Sequence, residues 1–282
     1  MAAEQKGSNT KAAFFLNLTF TVLEFIGGII SGSVAILSDS LHDFADSVSL
    51  GLGWYFERKA EKGSNERYTY GYKRFSLLGA MINAIILMLG AVYIIYQSVQ
   101  RMLEPKMPKI EWMIGIAILG IALNGFAVWK MKSGKSLNQK VITIHLLEDT
   151  LGWIAVLIAS IVMLFVDLPI LDPILAIVIT IAVLIVVVKK LVESLKIFLQ
   201  RVPKGINTAL LEQKILCLDG VEKVEHFHIW GLNEQKVVVS MHVKVHNLRS
   251  VAEQNDLKEK IKRIFNGIDT EHITIDMNLE RL

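Results

Sequence analysis

The chain has 282 residues, of which 52% are hydrophobic and 20% charged. That is too apolar for an ordinary soluble domain and points to several membrane spans joined to a smaller polar part. A net charge of +3, from 30 Lys and Arg against 27 Asp and Glu, gives nucleic-acid binding no support, and a single cysteine excludes an internal disulfide or a cysteine-based zinc finger.

Met1 to Lys11 is polar and the apolar run after it lacks a cleavage site, so no cleavable signal peptide is expected. The first apolar span is Ala12 to Ser31, interrupted by Asn17, Thr19, Thr21 and Glu24. The second runs from Val34 to Phe56, the third from Tyr72 to Val99 and the fourth from Trp112 to Lys130. The fifth is Val141 to Val166, and the sixth, Leu171 to Val188, opens on Asp172-Pro173, a good helix start. Each is close to the ~20 residues a bilayer requires, so six spans are expected over 1–200.

Span two is apolar yet carries Asp39, Asp43 and Asp46. Three such acids facing lipid cost up to about 10 kcal/mol. Positions 39, 42, 43 and 46 form one stripe on a helix, so the stripe must face protein, water or an ion. Within it His42 precedes Asp46 by four residues, and in span five His145 precedes Asp149 by the same interval. That spacing puts each pair on one helix face, so two such helices can offer two imidazoles and two carboxylates to a single point. The alternative is a set of buried hydrogen bonds that only hold helices together. Asp39, Asp43 and Glu148 are candidates to orient the imidazoles or to line a solvent path. Asn17 and Glu24 can line the same cavity or bond neighbouring helices, and Asn83 and Asn124 are read as packing residues.

Lys and Arg set the orientation. The loop after span two carries Arg58, Lys59, Lys62, Arg67, Lys73 and Arg74, and the loop after span four carries Lys130, Lys132, Lys135 and Lys140. The opposite loops carry only Arg101, Lys106 and Lys109, which places both termini in the cytoplasm.

After Pro203 the composition becomes that of a soluble domain, 201–282. Thr208 to Leu218 reads as a helix ending at Asp219-Gly220, with Cys217 as a buried apolar residue in it. Val221 to Trp230 and Lys236 to Val245 alternate with period two across Asn233-Glu234-Gln235. Val251 to Phe265 is helical, with Asn266-Gly267 past its end, and His272 to Leu279 is a last strand with Ile273, Ile275, Met277 and Leu279 on one face. Helix, strand, strand, helix, strand is a small α+β, ferredoxin-like unit with helices covering one side of its sheet.

Taken together, Gly32-Ser33-Val34-Ala35-Ile36-Leu37-Ser38-Asp39 leading into His42 and Asp46, then Tyr70-Gly71-Tyr72-Lys73-Arg74, His145 and Asp149, Leu171-Asp172-Pro173 and His228-Ile229-Trp230, make the chain resemble the cation diffusion facilitator family of zinc transporters over nearly its whole length. The resemblance implies a homodimer that is not an enzyme and exports divalent zinc in exchange for protons, with zinc as the transported substrate, no organic cofactor, and His42, Asp46, His145 and Asp149 as the metal ligands. Two nitrogens and two oxygens suit tetrahedral zinc, while cobalt and cadmium remain chemically open. Compact loops favour a prokaryotic cell (inner) membrane, where the partners are the lipid bilayer, metal ions and protons. The residues depart from the family pattern in the segment Glu57 to Ser76, which has no His for a further zinc site, and at Ser76 and Gln200-Arg201, which leave Arg74 without an acidic partner. In the C-terminal domain Glu225, His226, His242, His272 and Asp276 are candidates for a regulatory metal site, or else open-face polar residues. Competing readings are a broader carrier of cobalt, cadmium, iron or manganese, and a metal-sensing membrane receptor. An intramembrane metal-dependent hydrolase is disfavoured because no His-Glu-x-x-His motif is present.

Overall fold

The structure, a computed structural model, describes residues 18–60, 63–131, 137–246 and 250–279. The chain divides into two compact units: one runs to Tyr55 and from Ile82 to Lys190, the other joins Phe56–Met81 to the chain from Leu191 onward.

The helices are α1 (Leu18–Ser31), α2 (Val34–Ala60), α3 (Phe75–Leu103), α4 (Ile110–Met131), α5 (Leu137–Phe165) and α6 (Leu171–Phe198); the first unit holds them except for the end of α2, the start of α3 and the end of α6. Among the described residues α3, α4, α5 and α6 contain stretches long and apolar enough to cross a membrane. At 27 residues α2 is as long, but its acids set it apart from them. The third helix starts later than its apolar run suggests. Gly71, at φ 71°, and the bonds Gly71 N–H to Tyr68 O and Phe75 N–H to Tyr72 O hold residues 71–74 as turns, and the helix then continues to Leu103. Apolar residues such as Leu89, Val92, Phe126 and Phe165 stand fully outward on these helices, where an ordinary soluble protein would bury them. The interior is narrow and formed by Ile36, Ala35, Met113, Ala117, Trp153 and Val156. Small residues admit that close packing, as membrane helices require in the absence of a hydrophobic drive between them.

The C-terminal domain belongs to the second unit: α7 (Thr208–Leu216), β1 (Val221–Gly231), β2 (Val237–Val245), α8 (Val251–Ile264) and β3 (Thr270–Leu279), in the order the sequence predicts. The sheet runs β1-β2-β3, antiparallel across the first pair and parallel across the second. Leu211 and Ile215 of α7 and Leu257, Ile261 and Phe265 at α8 pack on Val239, Met241 and Val243, with Ile273, Ile275 and Met277 of β3 against them. Asn233 closes the β1–β2 turn by accepting from the N–H groups of Gln235 and Lys236.

Two expectations are corrected here. The period-two alternation of β1 is broken by register shifts at Val221/Lys223 and Glu225/His228, the second with His226 at φ 49°. A bulge inserts a residue and resets which side chains face inward, so Val224 and Ile229 are both buried although five residues apart. Cys217 is exposed, because α7 ends before it and it serves as the C-cap, off the Leu211–Ile215 stripe.

Candidate functional site

The first descending helix of the site, α2, begins in a buried turn, where four backbone N–H groups would ordinarily lack partners. Ser33 is the N-cap, its Oγ accepting from Ile36 N–H at 3.2 Å. The carboxylate of Asp172, the second residue of α6, accepts from Ser33 Oγ at 2.5 Å, Val34 N–H at 2.7 Å and Ala35 N–H at 3.3 Å. Leu37 N–H reaches Ser33 O, so each of the first four donors is satisfied. Lower down, the hydroxyls of Ser38 and Thr180 meet at 2.9 Å and join α2 to α6 a second time.

At about 1.5 Å per residue, His42 lies roughly 12 Å along the helix from Val34. His42 Nε2 and Asp46 Oδ2 are 3.8 Å apart, with a fifth to a quarter of each side chain open to solvent. Two ligands of one tetrahedral zinc stand about 3.3 Å apart, given bonds near 2.0–2.1 Å, so the pair needs only a small closure to share an ion. Asp39 and Asp43 are buried on the same stripe. Glu24 of α1 is fully buried and interacts electrostatically with Asp43, Asp39 and Asp149. Three helices thus deliver carboxylates to one region, α1 among them. The sequence signal for Glu24 was an acid inside an apolar span, read as lining this cavity or bonding a neighbouring helix.

On α5, Asp149 is half-buried in this region, and a Cβ on Gly152 would lie 4.0 Å from Asp39 Oδ1, so α5 passes close to α2. The backbone of His145 belongs to α5, while its side chain lies outside the described residues. Glu148 points away, exposed. Asn17 also lies outside the described residues. Among the described residues no three His, Cys, Asp or Glu side chains close into a metal-holding group.

In the C-terminal domain the candidate residues separate. His242 and Asp276 are paired across β2 and β3, Nδ1 to Oδ2 at 3.7 Å, and the His226 ring lies 5.0 Å from that of His242. Glu225, also opposite His242, is instead engaged by Lys223 at 2.7 Å and Lys244 at 3.5 Å. The Lys223 ammonium bonded to Glu225 holds its carboxyl below the ordinary carboxylate range, and Glu225 in turn raises Lys223. His272 packs edge-on to Tyr70. Among the described residues Arg74 Nε is buried without a hydrogen-bond partner, and its neighbour Lys73 pairs with Glu271.

Residues 10–199 match the family model for the cation efflux transmembrane domain, and residues 203–280 match that for the cation efflux protein cytoplasmic domain. The chain is 30% identical to the cadmium, cobalt and zinc/H(+)-K(+) antiporter of Bacillus subtilis, the match covering 98% of this chain and 91% of that one. It is 31% identical to the zinc transporter ZitB of Pectobacterium atrosepticum, over 96% of this chain and 85% of the relative. The metal cation efflux system protein CzcD of Cupriavidus metallidurans is also 31% identical, over 95% and 85%. With both of its domains matched in sequence order, this chain is an integral membrane protein of the cation efflux, or cation diffusion facilitator, family.

Proposed function

We propose that the protein exports Zn²⁺ from the cytoplasm in exchange for protons, with His42 and Asp46 of α2 and His145 and Asp149 of α5 as the ligands in transit. The observation that carries this is the level at which the two helices meet. Gly152 stands beside Asp39, and successive spans run in opposite directions, so three residues further along α2 brings His42 level with Asp149. Four more bring Asp46 level with His145. The paired positions of the two His-x-x-x-Asp segments therefore fall opposite one another, as a shared ion demands.

Metal binding requires neutral imidazoles and ionised carboxylates, so loading displaces protons and protonation favours release. This supplies exchange without a nucleotide or any catalytic step. Asp39 and Asp43, on the same stripe of α2, add carboxylates that draw cations toward the site. The spans lie in a prokaryotic inner membrane with both termini cytoplasmic, consistent with the basic loops after spans two and four. The chain folds as a transport domain over 1–200 and a cytoplasmic domain over 201–282 through which two copies associate. A broader range of divalent ions is the second reading, favoured by relatives named for cadmium and cobalt as well as zinc.

The test is zinc flux into proteoliposomes under a pH gradient, for the parent and for Asp46→Ala. Loss of flux and of metal-driven proton movement is expected in the variant. Parent-like flux would remove the site, and equal rates for zinc, cadmium and cobalt would favour the broader carrier.

A further inference from the structure

Asp172 is 2% exposed and more than 130 residues from the helix end it serves, and nothing in the transport chemistry uses it. It spends both carboxylate oxygens on the start of α2: Oδ1 accepts from Ser33 Oγ and Ala35 N–H, and Oδ2 from Val34 N–H. An anionic group there also meets the positive end of the helix dipole. Its charge has a further neighbour in Arg101 of α3, whose Nη2 donates to Gly32 O at 3.0 Å. The turn itself is fastened on other sides. Gly32 is held at φ 70°, Ser31 Oγ donates to Gly28 O and accepts from Ser33 N–H, and Lys109 N–H donates to Ser31 O at 2.7 Å. Four helices, α1, α2, α3 and α6, and the connection before α4 thus converge on one point, the end of α2 that lies eight residues before His42.

The bonds are of unequal strength. The hydroxyl pair Ser38–Thr180 is one neutral contact, of the kind that exchanges readily. The Asp172 cluster is a charge-assisted set of three in a buried site, and such bonds are roughly twice as strong as neutral ones. Helix motion that exposes a site alternately to two sides must leave some contacts intact and break others. The strongest, most fully satisfied cluster is the one that stays.

We propose that Asp172 is a positioning residue for transport: it locks the Gly32 end of α2 to α6 throughout the cycle and serves as the pivot about which the ligand-bearing stretch of α2 swings. This pivot rests on the reading of α2 as a ligand-bearing helix. Asp172 itself does not touch the ion.

The test uses the full chain in proteoliposomes, with Cys217→Ser as background. Asp172→Ala is expected to lower zinc flux at least tenfold. The pair Ser33→Cys with Asp172→Cys replaces the carboxylate by a bond that can be made and broken in one preparation, which controls for folding. Reduced, it is expected to be as slow as Asp172→Ala; oxidised, to return within threefold of the parent. A side chain that carried protons or metal would not be rescued by a disulfide, so an oxidised pair as slow as the reduced one overturns the pivot. So does failure of the cysteines to cross-link, or flux within threefold of the parent in Asp172→Ala. Asp46→Ala, run alongside, reports separately on the ligand site: its retention of flux would sink that reading whatever Asp172 does.

Discussion

Gly120 of α4 faces the indole of Trp153 in α5 so closely that a Cβ there would fall 2.5 Å from Cε2. Trp153 is 1% exposed and its rigid ring has nowhere to go. Gly27 of α1 also meets a side chain, but there the obstacle is the far end of Ile116, which can change rotamer. Gly120→Ala is therefore expected to destabilise the protein by about 1–3 kcal/mol through overpacking, and Gly27→Ala by clearly less. Thermal unfolding of the two variants in the same detergent checks the ranking, and equal midpoints would show that α5 yields at Trp153.

Replacing the first imidazole by an oxygen donor alters the chemistry of the set rather than its charge alone. With His42→Asp the proposed ligands become one nitrogen and three oxygens, a set less suited to zinc and more tolerant of oxygen-preferring ions such as manganese. The expected outcome is a lower ratio of zinc to manganese flux, on the order of tenfold as a factor reflecting about 1.4 kcal/mol. An unchanged ratio would show that His42 does not contact the ion.

Lys73, just before α3, is ion-paired with Glu271 of β3, both side chains being a little over a quarter exposed. Partial exposure limits such a pair to about 0.5–1 kcal/mol and makes it salt-sensitive. Lys73→Glu is expected to loosen β3, and Lys73→Glu with Glu271→Lys to restore it. Hydrogen–deuterium exchange of residues 270–279 in the intact protein reads this directly, with the difference shrinking in high salt.

The Lys223–Glu225 pair lends the C-terminal domain a pH dependence of definite sign. Glu225 titrates below its ordinary 4.5 because it accepts a hydrogen bond from Lys223, so its contribution is present above about that pH and lost as pH falls through the lower folded value. Lys223 titrates above 10.5 for the same reason, so its share is complete below 10.5 and lost as pH rises through the raised value. Glu225→Gln should remove the pair's response at both extremes. Exchange protection of β1 and β2, compared between variant and parent at each pH, tests it; identical acid limbs would show that the bond does not persist in solution.

Much of this was legible in the residue order. The apolar runs marked the helices, the interval between His42 and Asp46 implied one helix face, and the helix and strand order of the C-terminal domain followed from periodicity and turn residues. These are local properties, since rise per residue and side-chain period are the same wherever a helix or strand is placed.

Pairings between distant segments were decided by the tertiary structure alone. Asp172-Pro173 read as the start of its own helix and does open α6, but that its carboxylate also caps α2 was settled only by folding, which brings residue 172 to residue 34. Glu24 read either as lining the cavity of the α2 acids or as bonding a neighbouring helix, and folding put it within electrostatic reach of Asp43 and Asp39. Glu225 read as a candidate metal ligand, but two lysines claimed it, and the bulge at His226 reset the strand's inward face. Periodicity records which way a side chain points from its own element; which partner waits there depends on how the elements pack.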